Sequence, residues 1–381
     1  MRIFLGILGF ALIAIILGDA FETIILPRRV TRKFRLTGLF YRNTWLPWRW
    51  FAQHEIHSKK RRDSLLAFYG PLSLIMLLVI WAVALVLGFG FLHYAFGSAV
   101  HVFNDSRRSL ALDIYFSGTT FFTLGLGDVQ PDSTIARFFA VWEAGTGFGF
   151  LAIVIGYLPT IYQAFSRREI EIALLDARAG SPPSAAELIR RYAENRDIEE
   201  ISVLLREWER WSADVLESHI SYPPVVLFRS QHSNESWIGS LTAILDVCSL
   251  IIVGIEHIPT RQAQLTFAMA RHAVVDLAQV LSTPPMRSYP DRLPPEKLAE
   301  LRNFLRGFGA RLHGGDGADQ KLAELRHLYE PYVSAIANYL VLPVPDWFAI
   351  ENAKDNWQTS AWEKTARKIR PTELDILDEH L

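Results

Sequence analysis

The longest uncharged stretch of the chain runs from Ser64 to Asn104 and contains no Lys, Arg, Asp or Glu. A helix needs about 20 apolar residues to cross a bilayer, so we place a membrane-spanning helix at Leu65 to Leu92. A second apolar stretch, Phe138 to Phe165, carries one formal charge, Glu143, and its length suits a hydrocarbon core about 30 Å thick. The chain is therefore expected to fold as an all-α membrane protein.

A shorter apolar segment, Ser109 to Phe122, lies between these two stretches. It is too short to cross a bilayer, but it is long enough for a re-entrant helix of about three turns. The C-terminal end of such a helix carries partial negative charge, which favours a cation at the membrane centre. Non-helical backbone at that depth is tolerated only where it lines water or protein.

The six residues after this segment combine a threonine, two alternating glycines and an acid: Thr123, Leu124, Gly125, Leu126, Gly127 and Asp128. Backbone carbonyls that replace the hydration shell of an ion require alternating right- and left-handed residues, and glycine enters the left-handed region without steric cost. Gly125 and Gly127 are predicted to take that conformation. Leu124 and Leu126 then turn outward into apolar packing. The Thr123 hydroxyl adds one oxygen at the inner end, and Asp128 closes the outer mouth.

The order of outer helix, pore helix, filter and inner helix resembles the pore module of potassium channels over about residues 63–166. The usual filter of that family is T-V-G-Y-G-D. Here Leu124 replaces Val, and Leu126 replaces Tyr, which is similar to the second pore loop of two-pore-domain potassium channels. The resemblance implies passive K⁺ conduction without a cofactor. It places K⁺ at the backbone carbonyls of Thr123, Leu124, Gly125 and Leu126.

The same resemblance implies a set of residues that support the filter. Tyr115 lies where a pore-helix aromatic residue can bond the filter aspartate, so we predict a hydrogen bond from its hydroxyl to Asp128. Thr119 replaces a glutamate that some members have in the pore helix. Glu143 has two interpretations, because a charge inside the membrane faces protein or water: it bonds the pore helix behind the filter, or it faces the cavity and concentrates cations.

Glycine and proline weaken a helix, and the inner helix contains several of them. Gly147 falls at the position of the hinge glycine of potassium channels. An apolar constriction can close a pore by dewetting. The residues assigned to the hinge and the gate are Gly145, Gly147, Gly149, Ile155, Leu158 and Pro159.

Charge divides the chain into a basic segment, residues 1–62 with net charge +9, and two acidic ones, 63–164 with −3 and 165–381 with −7. The first segment faces either the acidic domain or anionic lipid. Three tryptophans among its charges favour lipid. We assign residues 1–62 to an N-terminal membrane or interfacial helix and a basic segment, 63–166 to the pore module, and 167–381 to a helical cytoplasmic domain.

Orientation follows from the basic residues, which concentrate on the cytoplasmic side of membrane proteins. Arg61 and Arg62 precede the outer helix, and Arg167 and Arg168 follow the inner helix, so both flanks are expected in the cytoplasm. Residues 3–26 either span the membrane with the N-terminus outside or lie in the interface. The first alternative is favoured, because it brings Asp19 and Glu22 near the inner headgroups. A signal peptide contradicts the charge pattern and lacks a cleavage site.

Residues 167–381 are expected to be helical, with Leu241 to Ile255 as a buried core helix, and to respond to an unidentified regulatory ligand or protein. This region has no G-x-G-x-x-G turn. The whole chain has no nucleophile elbow, phosphate-binding loop or metal triad, so we do not expect enzymatic activity. We also expect no nucleic-acid partner. The single cysteine, Cys248, excludes an intrachain disulfide.

The sequence therefore predicts a homotetrameric K⁺ channel in the bacterial inner membrane. One chain supplies a quarter of each carbonyl ring, so four copies must surround one axis. The C-terminal domain lies in the cytoplasm, and it controls bending of the inner helix. Two alternatives remain open. The first is a weakly selective monovalent cation channel, because Leu126 cannot brace the filter as tyrosine does. The second is a non-conducting membrane receptor or scaffold with a channel fold.

Overall fold

A computed structural model describes residues 1–26, 35–96, 100–102, 109–195, 198–231, 234–256 and 258–348. The chain divides into two compact units. The first comprises Met1–Phe165 and Ser218–Arg229, and the second comprises Ser166–Glu217 and Ser230–Leu381. Residues 218–229 thus belong to the first unit, whereas the predicted cytoplasmic domain includes them.

The first unit contains the elements of the predicted pore. Its helices are α1 (Arg2–Ala20), continued by a π-helical turn (Phe21–Ile25), α2 (Leu36–His54), α3 (Lys59–Ala95), α4 (Leu110–Phe121) and the first part of α5 (Thr134–Ala179). Two short strands, β1 (Val100–Val102) and β2 (Val129–Pro131), pair antiparallel, with His101 opposite Gln130. Helices are confirmed at the three positions predicted for the outer, pore and inner helices, as α3, α4 and α5. α3 begins six residues before the predicted Leu65.

α1 packs antiparallel against α3 through glycines. A side chain at Gly9 would lie 2.5 Å from the carbonyl oxygen of Gly88, and one at Gly6 would lie 3.0 Å from Cβ of Ala95. At the other end of α1, Trp81 Nε1 donates to Asp19 at 3.2 Å. Asp19 is buried and also accepts from the Thr37 hydroxyl, so its carboxylate is satisfied within the protein.

α2 is a helix that the sequence analysis did not predict. Its aromatic side chains face the first half of α3: Trp48 Nε1 donates to the Leu65 carbonyl at 3.2 Å, and the Trp45 ring lies 4.8 Å from that of Tyr69. Pro47 lies inside this helix, and its low helix propensity argues against a helix when the sequence is considered alone. Tertiary packing of its aromatic face stabilises it instead.

The second unit is helical. It comprises the end of α5, α6 (Ala185–Glu194), most of α7 (Ile201–Ser221), α8 (Trp237–Gly254), α9 (Thr260–Val280), α10 (Pro295–Gly307), α11 (Asp316–His327) and α12 (Glu330–Leu340). Single 3₁₀ turns occur at Ile198–Glu200 and, in the first unit, at Pro223–Leu227.

α8 is the centre of the second unit. Four helices of the described residues are long and apolar enough to cross a membrane, and α8 is one of them. Within α8, however, 94% of the apolar window is buried inside the protein, so it is the core helix that the sequence predicts. Its Asp246 accepts from Arg292 and Tyr329. Trp347 is fully buried in the same unit.

Candidate functional site

The candidate site is the loop that follows α4. Ser109 begins α4 as its N-cap and accepts from the Leu112 amide at 3.2 Å. At the other end, the amides of Thr123 and Leu124 donate to the carbonyls of Thr120 and Thr119 at 3.0 and 2.8 Å. These two bonds join the first residues of the loop to the last turn of the helix, so that the C-terminal end of α4 leads directly into the loop.

Backbone conformation alternates along the loop. Thr123, Gly125 and Gly127 have φ of +55°, +58° and +78°. The left-handed conformation of both glycines is confirmed, whereas that of Thr123 was not predicted. Leu124 and Leu126 lie between them without positive φ. This alternation is the conformation that directs successive carbonyls to one side of the chain.

Four successive carbonyl oxygens of the loop accept no hydrogen bond from the part of the chain that the structure describes. None of the described residues donates a hydrogen bond to those of Thr123, Leu124, Gly125 or Leu126. The first partner appears at Gly127, whose carbonyl accepts from Gln130 Nε2 at 3.3 Å. Free carbonyls in a row can coordinate a dehydrated cation.

The two leucine side chains of the loop do not pack within the chain. Leu124 is 62% exposed and Leu126 is 64% exposed. The sequence analysis expected both to turn into apolar packing, and a single chain does not provide it. Large apolar side chains exposed together indicate a surface that another molecule covers.

Tyr115 and Thr119 meet the loop in different ways. The Tyr115 hydroxyl donates to Asp128 Oδ2 at 2.9 Å, which is the predicted hydrogen bond. Thr119 contacts the loop through its backbone carbonyl, which accepts from the Leu124 amide. Its hydroxyl donates instead to the carbonyl of Phe116 in its own helix, at 2.9 Å.

Glu143 lies behind the pore helix and is fully buried. Its Oε1 accepts from the Ser117 hydroxyl of α4, and its Oε2 lies 3.0 Å from His93 Nε2 of α3. Glu143 thus bonds the pore helix, as in the first of its two interpretations, and does not face an open cavity. A buried carboxyl group needs such partners, because an unsatisfied one is costly.

His93 is a support residue that the sequence analysis missed. It is fully buried, and its ring lies 5.0 Å from that of Phe116 in the pore helix. The signal was available, since an acid inside the membrane requires a polar partner and His93 lies near the outer end of the uncharged stretch. Ser117 also bonds the Val86 carbonyl of α3 at 2.7 Å. Three helices therefore meet at Glu143.

Gly147 has a packing role in addition to its predicted hinge role. A side chain there would place Cβ 2.0 Å from the carbonyl oxygen of Phe121, at the end of α4. Only glycine allows this approach of the inner helix to the pore helix. Gly145 and Gly149 have no neighbouring atom within 4 Å of such a Cβ, so their predicted hinge role is not limited by packing.

α5 is one continuous helix through Pro159. Pro159 has no N–H, so the backbone carbonyl of Ile155 has no helical hydrogen bond from that position. The neighbouring Thr160 hydroxyl bonds the Gly156 carbonyl at 2.9 Å. Ile155 and Leu158 have exposed side chains in the single chain, as residues that line a pore would have.

Comparison with known proteins gives the class of this site. Residues 75–164 match the family model described as ion channel. This range contains most of α3, all of α4, the loop and the inner helix up to its lower part. Residues 75–164 form an ion-channel domain with a pore module of the potassium-channel type.

The uncharacterized membrane protein YdjJ of Bacillus subtilis (strain 168) is 21% identical to the chain over 237 residues, which are 62% of this chain and 68% of YdjJ. No solved structure matches the chain. Together with its apolar helices, these similarities make this a membrane protein with an ion-channel domain. Its described residues contain no group of three or more His, Cys, Asp or Glu side chains suited to a metal ion.

Proposed function

We propose that the chain forms a tetrameric K⁺-selective channel that conducts passively through the loop 123–128. The observation that carries the proposal is the positive φ at Thr123, Gly125 and Gly127, combined with carbonyls that bond no described residue. These oxygens replace water around K⁺, and no cofactor is needed.

A tetramer is supported by the two faces of α5. Its buried face includes Ala136, Glu143, Tyr157 and Ile161. The large exposed apolar side chains fall on the opposite face, at helical spacing: Phe138, Val141, Phe148, Leu151 and Ile155. In the proposed tetramer, neighbouring copies and the pore cover this face. The exposed filter leucines then pack between copies.

Gating in this proposal uses the lower inner helix. Bending at Gly145 or Gly149, or at Pro159, moves the apolar side chains of Ile155 and Leu158 toward or away from the axis. Closure then occurs by dewetting of the constriction. Gly147 is the least suited of the glycines to a large movement, because it is held close to Phe121.

Residues 222–228 supply a lever for such bending. Val225 is fully buried in a cluster with Leu74 of α3 and with Tyr157 and Ile161 of α5. The rings of Phe165 and Phe228 lie 5.6 Å apart in the same region. This segment therefore contacts both the outer and the inner helix of the pore module, next to the proposed gate.

The segment is joined by the chain to the second unit on both sides, at Glu217 and at Ser230. Within the first unit, Arg229 lies 3.6 Å from Asp63 at the start of α3, and both side chains are largely buried. A regulatory ligand or protein that changes the second unit can thus act on the inner helix through residues 222–228.

The proposed location is the bacterial inner membrane, with several membrane passes and the C-terminal domain in the cytoplasm. The charge pattern of the sequence supports this orientation, and the antiparallel packing of α1 on α3 fits a spanning α1 whose N-terminus is outside. In this proposal the protein acts as a passive transporter rather than an enzyme, binds membrane lipid, and has no nucleic-acid partner.

A weakly selective cation channel is the second candidate. The observation that favours it is Leu126, whose side chain has no polar atom with which to brace the filter and which is largely exposed in one chain. If packing between copies does not hold this residue, the carbonyl ring can adapt to Na⁺ as well as to K⁺.

A flux assay tests the proposal. Purified protein in K⁺-loaded proteoliposomes is expected to release K⁺ down its gradient, and Gly125→Ala is expected to abolish the release, because a side chain cannot take φ of +58° without strain. Gly307→Ala is the control, since no atom lies within 4 Å of its Cβ. Absence of flux from the wild type, even when the second unit is removed, supports the non-conducting receptor or scaffold instead.

A further inference from the structure

An apolar groove lies beside the pore module at the end of α1 where the chain begins. It encloses a cavity of about 610 Å³. α1 supplies Ile7, Phe10 and Ala11, α3 supplies Leu92 and Phe96, and α5 supplies Phe139. The groove is thus formed by three helices of the first unit.

The groove results from the close packing of α1 on α3. Gly6 and Gly9 bring the two backbones together, so no side chain from that face of α1 fills the space alongside. Ile3, Ile7 and Phe10 stand at its edge and are largely exposed. Water is not stable in a groove without polar partners, whereas a hydrocarbon chain fits one.

A cation, Arg2, is the sequence neighbour of a residue that lines this groove. The Arg2 guanidinium is 5.7 Å from the centre of the Tyr94 ring. Arg2 precedes Ile3, and Tyr94 precedes Ala95, and both of these neighbours line the groove. A positive charge next to an apolar groove is complementary to a phospholipid, because the hydrocarbon chain can fill the groove while the phosphate contacts the cation.

We propose that this groove binds one acyl chain of a phospholipid whose phosphate lies at Arg2. We place this lipid in the outer leaflet, and this placement rests on the proposed function, in which the filter opens to the outside. Binding itself does not depend on conduction.

The site adjoins the residues behind the filter. The Phe139 ring, at the groove, lies 5.1 Å from that of Phe96 and 6.2 Å from that of His93, which bonds Glu143. A bound acyl chain therefore packs against Phe139, next to the His93 and Glu143 pair that bonds the pore helix.

Lipid counting by native mass spectrometry tests the proposal. The full chain is reconstituted in nanodiscs with equal amounts of palmitoyl-oleoyl phosphatidylglycerol and phosphatidylcholine and is then released into mild detergent. The wild type is expected to retain one phosphatidylglycerol per chain. Ala11→Trp fills the groove and is expected to lower this retention roughly tenfold. Ala14→Trp is the control, because Ala14 is exposed on the same helix outside the groove.

Arg2→Gln tests the headgroup contact. It is expected to retain lipid while the preference for phosphatidylglycerol over phosphatidylcholine falls to about one. The proposal is overturned if the wild type retains no lipid, if Ala11→Trp and Ala14→Trp retain equal amounts, or if Arg2→Gln keeps the full preference. Dissociation of the oligomer by Ala11→Trp alone also overturns it, because a second copy then occupies the groove. The readout counts lipid, so it separates this proposal from a failure to conduct K⁺.

Discussion

Thr123 takes a left-handed backbone conformation that the sequence analysis predicted only for the two glycines of the loop. Its φ of +55° costs a non-glycine residue about 1–2 kcal/mol. The hydrogen bonds from the amides of Thr123 and Leu124 to the last turn of α4 hold it there. The sequence identifies Gly125 and Gly127 because their residue type permits the conformation, but the strain at Thr123 arises from its neighbours.

Glu143 allows a test of the support behind the filter. Glu143→Leu leaves Ser117 and His93 buried with a lost partner, so the pore module is expected to lose roughly 1–3 kcal/mol of stability. Glu143→Gln keeps one acceptor and is expected to lose less. Thermal dissociation of the purified protein in detergent measures both variants.

Conductance gives the second readout for Glu143. Because the side chain lies behind the pore helix, Glu143→Gln is expected to leave the single-channel conductance unchanged and to alter inactivation. A large fall in conductance with unaltered inactivation would show that the carboxylate acts on ions in the cavity.

At the scale of elements, the contact between α4 and α5 depends on one position. Gly147→Ala would place Cβ 2.0 Å from the Phe121 carbonyl, so the two helices must separate. Overpacking of this kind costs about 1–3 kcal/mol, and the loop 123–128 begins two residues after Phe121. The variant is expected to lower both the thermal stability and K⁺ flux.

Gly145→Ala is the matched control, because it meets no atom within 4 Å and alanine favours a helix by up to about 1 kcal/mol. If flux depends on bending at Gly145, this control loses flux while its stability is kept. Equal stability of Gly147→Ala and the wild type would refute the packing role of Gly147.

The corner between α5 and α6 has an expected pH dependence. Burial would raise the pKa of Glu187, but hydrogen bonds from Arg190 and Arg191 outweigh burial and hold the pKa below its ordinary value of 4.5. Since the folded pKa is lowered, the stabilisation is complete above the unfolded pKa and is lost as pH falls through the folded one. Arg191 also bonds the Ala177 carbonyl, which ties α6 to the end of α5.

Glu187→Gln is therefore expected to lower stability by roughly 0.5–1 kcal/mol at neutral pH, with the difference from the wild type vanishing in acid. Thermal unfolding measured from neutral pH down to below the ordinary glutamate pKa checks this. Glu194→Gln is the control, since its carboxylate is about half exposed and, among the residues that the structure describes, bonds only Arg190. A difference at Glu187 that stays constant with pH would contradict the ionic origin.

The helices that the sequence predicts best are those whose length is set by the membrane. α3, α4 and α5 follow from runs of uncharged residues, and α4 also from Ser109 as its cap. α2 was missed, because its proline and its basic residues conceal an aromatic face that matters only when α3 is beside it. The sequence identifies Glu143 because it is a charged residue in an apolar helix. Its partner His93 can be identified only when it is known at which depth α3 and α5 contact each other.

At the scale of the whole molecule, residues 222–228 pack with the first unit, although the sequence analysis places them in the C-terminal domain. Their sequence lies between helices of the second unit, and only the buried position of Val225 among pore-module residues reveals the association. Long-range packing of this kind leaves no periodic pattern in a single sequence. In the proposed tetramer, neighbouring copies cover the exposed apolar face of α5.

Gly70→Ala tests the coupling through this segment. Its Cβ would lie 2.9 Å from the Leu227 carbonyl and 3.0 Å from the Phe228 ring, so the segment must shift away from α3. The open probability is expected to change several-fold while ion selectivity stays the same, because the filter is untouched. Gly18→Ala is the control, since it meets no atom within 4 Å. Equal open probability in the wild type and Gly70→Ala would remove the segment from the gating mechanism.

The reversal potential of the reconstituted channel tests the central claim, which is that the carbonyls of residues 123–126 in four copies select K⁺. With K⁺ on one side of the bilayer and Na⁺ on the other, a K⁺-selective filter is expected to shift this potential toward the K⁺ equilibrium value, by about 59 mV for each tenfold preference. A reversal potential near zero would contradict the claim and would identify a pore that does not distinguish the two ions.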